Sequence, residues 1–258
     1  MQPLIDADVL LYEIGYAAET GWQGEGVPPF DYVANLLDNR IGNICAVVQA
    51  THPPILYLTG KTNFRNKIAT KTKYKERPSK KPFHYYNLKA YIQGKYDYRL
   101  TEGLEADDLM AIEQTAGPEE TIICTRDKDL RQVPGWHYGW ELGNQPQFGP
   151  ELVTDIGYVT LSSDRKKIKG TGELFFFSQI LTGDAVDTIP GLEGCGPVKA
   201  FNIISPCKTR GDALKAVYNA YKEVYGSLSY KEMLEQGRLL YMTRNLRTDG
   251  SPVMWGEK

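Results

Sequence analysis

Four groups of acidic side chains are spaced so that a fold can gather them: Asp6 with Asp8, Glu105 with Asp107 and Asp108, Asp127 with Asp129, and Asp184 with Asp187. Gathered carboxylates repel one another, and a hard cation relieves that repulsion. Oxygen-only ligation suits magnesium or manganese and not zinc. Two such ions roughly 4 Å apart can activate water and stabilise the leaving oxygen in phosphodiester hydrolysis, so no side-chain nucleophile is needed. Each group alone has a plainer explanation. Acids favour the first turn of any helix, and aspartates are common in turns. The ordered set carries the reading, not any one pair.

Other chemistries have less support. His52, His84 and His137 show no ligand spacing, which disfavours a histidine metal site or a catalytic triad. Cys45, Cys124, Cys195 and Cys207 form no CxxC pair, in keeping with a reducing cytoplasm. No apolar run approaches a membrane span, and no export signal opens the chain. The net charge is −2, but charge is segregated. Arg65, Lys67, Lys71, Lys73, Lys75, Arg77, Lys80 and Lys81 face one acid, Glu76, within a single segment. A polyanion and metal cations can therefore bind at separate places.

The elements that must position these groups follow from hydrophobic pattern. Leu4 to Leu11 reads as a buried strand running into a helix, and Asp31 to Gln49 carries helical apolar spacing. Ile55 to Leu58, Tyr96 to Leu100, Thr121 to Thr125 and Trp136 to Trp140 read as strands. Tyr86 to Ile92 and Leu104 to Thr115 read as helices. Strands alternating with helices predict an α/β domain with a mainly parallel central sheet flanked by helices. A small hairpin is expected over Tyr158 to Ile168, and a helical pattern from Glu173 onward. In a parallel α/β sheet, ligand sites gather where strands end and helices begin. Asp6, Glu105 and Asp127 all fall at such places.

The ordered motifs resemble those of the 5'→3' exonuclease/flap-endonuclease family, in particular its bacteriophage members. Leu4-Ile5-Asp6 resembles the family's opening metal-ligand strand. Leu104 to Asp108 resembles its ExDD helix start, Thr125 to Leu130 its DxD motif, and Leu181 to Asp187 its GDxxD motif. Pro190 to Ala200 resembles its helix-three-turn-helix hairpin. The resemblance implies one metal on Asp6, Glu105, Asp107 and Asp127, and a second on Asp129, Asp184 and Asp187, with Asp108 near both. It also implies a potassium ion on carbonyls of the glycine hairpin. Two departures stand out. The family's acid after the second strand is replaced by Gly60, and Tyr74-Lys75-Glu76-Arg77 is one residue shorter than the family's Tyr-Lys-x-x-Arg.

The segment about 61–84 resembles the family's arch and is expected to be a mobile or arched loop. Arg65, Lys75 and Arg77 are the candidates for steadying the scissile phosphate, and Tyr74, Tyr85 and Tyr86 for stacking on unpaired bases. Gly191, Gly194, Gly196 and Lys199 are expected to bind duplex through its phosphates. The expected organisation is a PIN-like nuclease domain over 1–172 and a helical DNA-binding lobe over 173–258. The resemblance implies a monomeric, magnesium- or manganese-dependent 5'→3' exonuclease and flap endonuclease acting on DNA in replication, primer removal or recombination, with RNA–DNA hybrid as a further substrate. The rivals are a PIN-type endoribonuclease, disfavoured by Gly191 to Lys199, and a catalytically inactive DNA-binding relative, disfavoured by the acid set.

Overall fold

The computed structural model describes residues 1–75 and 80–257. In chain order the first elements are β1 (Gln2–Asp6), α1 (Ala7–Gly21), α2 (Phe30–Val47), β2 (Ile55–Leu58), α3 (Arg65–Ile68), α4 (Tyr85–Lys95) and β3 (Asp97–Leu100). Next come α5 (Ala106–Ala116), β4 (Thr121–Cys124), β5 (Gly135–Gly139), β6 (Phe148–Val153), β7 (Tyr158–Leu161) and β8 (Ile168–Thr171). The chain closes with α6 (Gly172–Thr182), α7 (Pro197–Ile204), α8 (Arg210–Tyr225) and α9 (Ser229–Leu240). Two compact units form. One takes the described residues of 1–62, 79–128 and 135–152, and the other those of 63–78, 129–134 and 153–258.

The first unit is built on a sheet of order β3-β2-β1-β4-β5-β6. The pairings β2–β3, β1–β2, β1–β4 and β4–β5 are all parallel, as the alternation of strands and helices predicts. Leu4, Ile5, Leu56, Ile122 and Ile123 are fully buried, which is why these runs are continuously apolar. Leu10, Leu11, Ile14 and Ala18 of α1 and Val33, Leu37, Ile41 and Ile44 of α2 supply the helical faces of the core. No loop separates β1 from α1. Asp6 ends the strand and caps the helix, its Oδ1 accepting from Val9 N at 3.1 Å. β6 has no counterpart in the sequence reading, because it is mostly exposed and carries no alternation.

In the second unit α6 is buried at every position but its last, so its run Leu174 to Phe177 is apolar all round. The antiparallel β7–β8 hairpin, α7, α8 and α9 pack around it. The division between units falls at Leu152, so the hairpin belongs with the helices and not with the sheet.

The basic segment differs from the expected free loop. Residues 63–75 belong to the second unit and include α3. Ile68 and Ala69 pack against its core, and Tyr74 lies within that core. Thr70 N and Oγ1 donate to Glu235, Lys71 pairs with Glu232, and Thr72 Oγ1 donates to Thr188 O at 2.6 Å.

Candidate metal and nucleic-acid site

The parallel register sets the first group of acids. Ile5 of β1 pairs with Cys124 of β4, and Asp6 with Tyr57 of β2, so the three strands end along one edge. A threonine follows two of them. Thr125 Oγ1 donates to Asp6 Oδ2 at 2.7 Å and accepts from Asp127 N at 2.9 Å, tying the end of β4 to the end of β1. Thr59 Oγ1 accepts from Ala106 N at 2.9 Å, which fixes the start of α5 beside β2. Within that start Glu105 N donates to Asp108 Oδ2 at 3.1 Å, a capping arrangement. Asp6, Glu105, Asp107, Asp108 and Asp127 thus share one edge of one unit. Asp6, Glu105 and Asp108 are buried, while Asp107 and Asp127 are half-buried.

Electrostatics mark this edge as short of positive charge. Burial and the neighbouring Asp8 charge push the Asp6 carboxyl up to about 6, against the lowering by Thr125. Burial also raises Asp8, despite Thr59 N donating to its Oδ2 at 2.9 Å and Lys89 nearby; the Glu105 charge adds to the rise. Lys89 Nζ donates to Thr59 O at 3.0 Å. The hydroxyls of Thr59 and Thr125 and the Lys89 ammonium were missed by sequence reasoning. A threonine directly after each apolar run, in Tyr57-Leu58-Thr59 and Ile123-Cys124-Thr125, is the signal that could have found the first two.

The second group lies in the other unit. Asp129 opens a short 3-10 turn and its Oδ1 accepts from Gln179 of α6. Asp184 and Ile189 exchange backbone hydrogen bonds of 2.8 Å each, and Asp184 Oδ1 accepts from Val186 N at 2.8 Å. Asp187 Oδ2 accepts from Tyr74 Oη at 3.1 Å, and its carbonyl accepts from Lys75 N at 3.1 Å. The Lys75 ammonium stands 3.8 Å from Asp187 Oδ1. Asp129 and Asp184 are buried, and Asp187 is half-buried.

This turn runs into the glycine hairpin. Gly183 and Gly191 have φ of 68° and 70°, and their backbones touch: a Cβ on Gly191 would lie 2.3 Å from Gly183 N. Only glycine fits that crossing. Gly194 and Gly196 are exposed, with open space where a side chain would stand, and Lys199 is exposed in the first turn of α7. The hairpin between α6 and α7 therefore presents bare backbone and a cation outward.

Two sequence expectations change, those for Arg65 and Tyr74. Arg65 is fully buried, with Nε donating to Leu239 O at 2.9 Å and Nη2 to Tyr241 O at 2.8 Å. It closes the last carbonyls of α9, so it is not presented to a phosphate. Tyr74 is buried, so it has no face for a base. Tyr85 is half-buried and Tyr86 exposed, both at the start of α4. Arg77 lies outside the described residues. Gly60 has a steric cause: a Cβ there would meet Thr101 O at 1.9 Å and Glu102 Oε1 at 2.9 Å. No acid fits at that position, and a carboxylate from β3's end already lies beside it.

The donor set fits a hard divalent cation in kind: oxygen donors only, buried or half-buried, with Asp6 held above its ordinary value by burial and the Asp8 charge, and Asp8 by burial and the Glu105 charge. Among the described residues, no three His, Cys, Asp or Glu side chains are drawn into a ready ligand shell.

No family model matches the chain. It is 30% identical over 170 residues to the flap endonuclease Xni of Shewanella halifaxensis, covering 63% of this chain and 61% of that one. Against DNA polymerase I of Pseudomonas aeruginosa it is 30% identical over 162 residues, covering 57% of this chain and 16% of the polymerase. The chain thus spans about three-fifths of the first relative's length and under a fifth of the second's. The Xni of Shewanella baltica strain OS185 is 22% identical over 223 residues, covering 83% and 80%. Among solved structures, T5 D15 protein co-crystallised with metal ions superposes with a TM-score of 0.56 at 14% identity, covering 93% of this chain and 99% of that one. The T5 5'-exonuclease with bound zinc gives 0.55 at 15%, with the same coverage. In sequence the chain is thus similar to flap endonucleases Xni and to part of DNA polymerase I, and in fold to the T5 5'-exonuclease.

Proposed function

We infer that the chain is a metal-dependent nuclease that hydrolyses phosphodiester bonds near the 5' ends of DNA, as exonuclease and as flap endonuclease. The observation that carries this is the edge of the parallel sheet, where Asp6, the start of α5 and Asp127 come together from distant parts of the sequence through Thr59 and Thr125. The relatives' names and the metal ions in the T5 D15 structure support it.

Asp6, Glu105, Asp107, Asp108 and Asp127 would hold one divalent ion, magnesium or manganese, and Asp129, Asp184 and Asp187 a second. Such ions supply an activated water and stabilise the leaving oxygen. The chain's own groups do the rest. Thr125 orients Asp6 and Asp127 together, and Tyr74 and Lys75 fix Asp187. Lys75 is an exposed cation 3.8 Å from Asp187 Oδ1 and is suited to steady a phosphate oxygen as charge grows. The bare glycines and Lys199 bind duplex by its backbone without reading sequence. A potassium ion on carbonyls of that hairpin, action on RNA–DNA hybrids, and a monomeric, cytoplasmic state belong to the same proposal.

The test is digestion of 5'- and 3'-labelled duplex, flap and hybrid substrates with magnesium, against an EDTA control. Magnesium-dependent release of short products from the 5' end supports the reading. Release from the 3' end, or none, contradicts it.

A further inference from the structure

The β7–β8 hairpin carries cations that the nuclease reading does not use. Arg165, Lys166, Lys167 and Lys169 fall within five residues, and all are exposed. Among the described residues none of the four makes an ion pair. Other cations of the same unit are paired: Lys71 with Glu232, Lys75 with Asp187 and Arg210 with Glu173. The one acid of the tip, Asp164, is engaged with its own turn. Its Oδ1 accepts from Ser162 Oγ at 2.6 Å and from Lys166 N at 3.1 Å.

The tip is hydrogen-bonded to itself as well as charged. Ser162 N donates to Lys167 O at 2.9 Å, Arg165 N to Ser162 O at 2.8 Å, and Lys167 N to Ser162 Oγ at 3.0 Å. Arg165 sits at φ 58°, a left-handed conformation that this hydrogen-bonded turn holds in place. The strands alternate. Val159, Leu161 and Ile168 face α6 and α7, while Thr160, Lys167 and Lys169 face solvent. Lys169 lies in β8 and Lys167 directly precedes it, two residues away; at the rise of extended backbone that spacing is about 7 Å, over which one DNA strand places two phosphates. A solvated charge run on a mobile loop would show neither the locked turn nor the one-sided spacing. The hairpin also packs on α7, which carries Lys199, so both sets of cations belong to one unit.

We propose that the outward face and tip of this hairpin, through Arg165, Lys167 and Lys169, form a second contact to the phosphate backbone of duplex DNA, separate from the glycine hairpin. The proposal rests on the nuclease reading only for the identity of the polyanion. It extends the duplex footprint beyond α7 and adds salt-sensitive, sequence-independent affinity.

The test measures binding of a fluorescein-labelled blunt duplex by anisotropy, in EDTA, over a series of potassium chloride concentrations. The wild-type chain is compared with the triple variant Arg165→Ala, Lys167→Ala, Lys169→Ala. A charge-matched control carries Lys215→Ala, Lys222→Ala and Lys231→Ala, exposed positions on α8 and α9. The hairpin variant should bind more weakly on any duplex sequence, its log–log salt slope reduced by about one for each phosphate no longer neutralised. The control should keep the wild-type slope. An unchanged slope in the hairpin variant overturns the proposal, and so does an equal loss in both variants, which would mean net charge alone. Cleavage is assayed separately with magnesium on the same preparations. A wild type that cleaves while the hairpin variant keeps its slope removes the hairpin contact alone; a wild type without cleavage removes the nuclease reading.

Discussion

Restoring an acid at Gly60 should damage the protein and not improve it. A Cβ at this position would lie 1.9 Å from Thr101 O, about half the ordinary contact distance between non-bonded heavy atoms. The obstacle is a backbone oxygen and cannot rotate away. Thr101 N is in turn bonded to Leu58 O at 3.0 Å, so relief requires parting the ends of β2 and β3. Overpacking of this kind costs about 1–3 kcal/mol, and an immovable obstacle puts Gly60→Ala near the upper end. Gly60→Asp adds a charge close to Glu102 Oε1, itself 2.9 Å from the new Cβ. Glu102 is exposed, so that repulsion is screened and adds only about a few tenths of a kcal/mol. Urea unfolding followed by circular dichroism should therefore show Ala and Asp variants destabilised alike, by about 2–3 kcal/mol with little change in m. A neutral Gly60→Ala would refute the steric reasoning. So would a Gly60→Asp variant as stable as wild type with tighter divalent-ion binding.

Arg65→Met should lower the thermal midpoint, costing about 3 kcal/mol, because Leu239 O and Tyr241 O lose charged donors in a buried place; full stability with lost cleavage would return Arg65 to the phosphate. Lys75→Ala should slow single-turnover cleavage about a hundred-fold while duplex affinity stays within about two-fold, as expected of a charge used in the transition state; equal loss of both would mean attraction only. Asp38 gives a pH prediction. Burial raises its carboxyl, but bonds from Lys95, Tyr96 and Tyr91 outweigh this and hold it below its ordinary 3.8. A depressed folded value stabilises the protein above the unfolded value, and that stability is lost as pH falls below 3.8 through the folded value. Solvent screens this partly exposed group, so Asp38→Asn should cost at most about 1 kcal/mol near neutral pH, and its urea midpoint should approach wild type below that window. A gap that stays constant with pH would contradict this.

The sheet was legible because β1, β2 and β4 are buried on both faces and so read as unbroken apolar runs. Their parallel order then placed Asp6 and Asp127 at strand ends without any contact being known. The glycine hairpin was legible for a related reason: Gly183 and Gly191 are required by a backbone crossing that no other residue permits. Burial of a charge was not legible. Arg65 reads as a surface cation in a basic run, and only α9, far along the chain, shows that it closes a helix end. Ile68, Ala69 and Tyr74 were too sparse to display a period, so the attachment of 63–75 to the second unit stayed hidden. Gly60 was visible as a departure, but its cause lies in Thr101 O, at the end of a neighbouring strand.

The central claim is that the acids at the sheet edge run a magnesium-dependent cleavage at DNA 5' ends. Single-turnover digestion of a 5'-labelled flap duplex by wild type and Asp127→Asn, each checked for a native circular dichroism spectrum, tests it most directly. The wild type should give magnesium-dependent 5' products, and a folded Asp127→Asn none. Near-normal cleavage by that variant, or wild-type cleavage undiminished in EDTA, would contradict it.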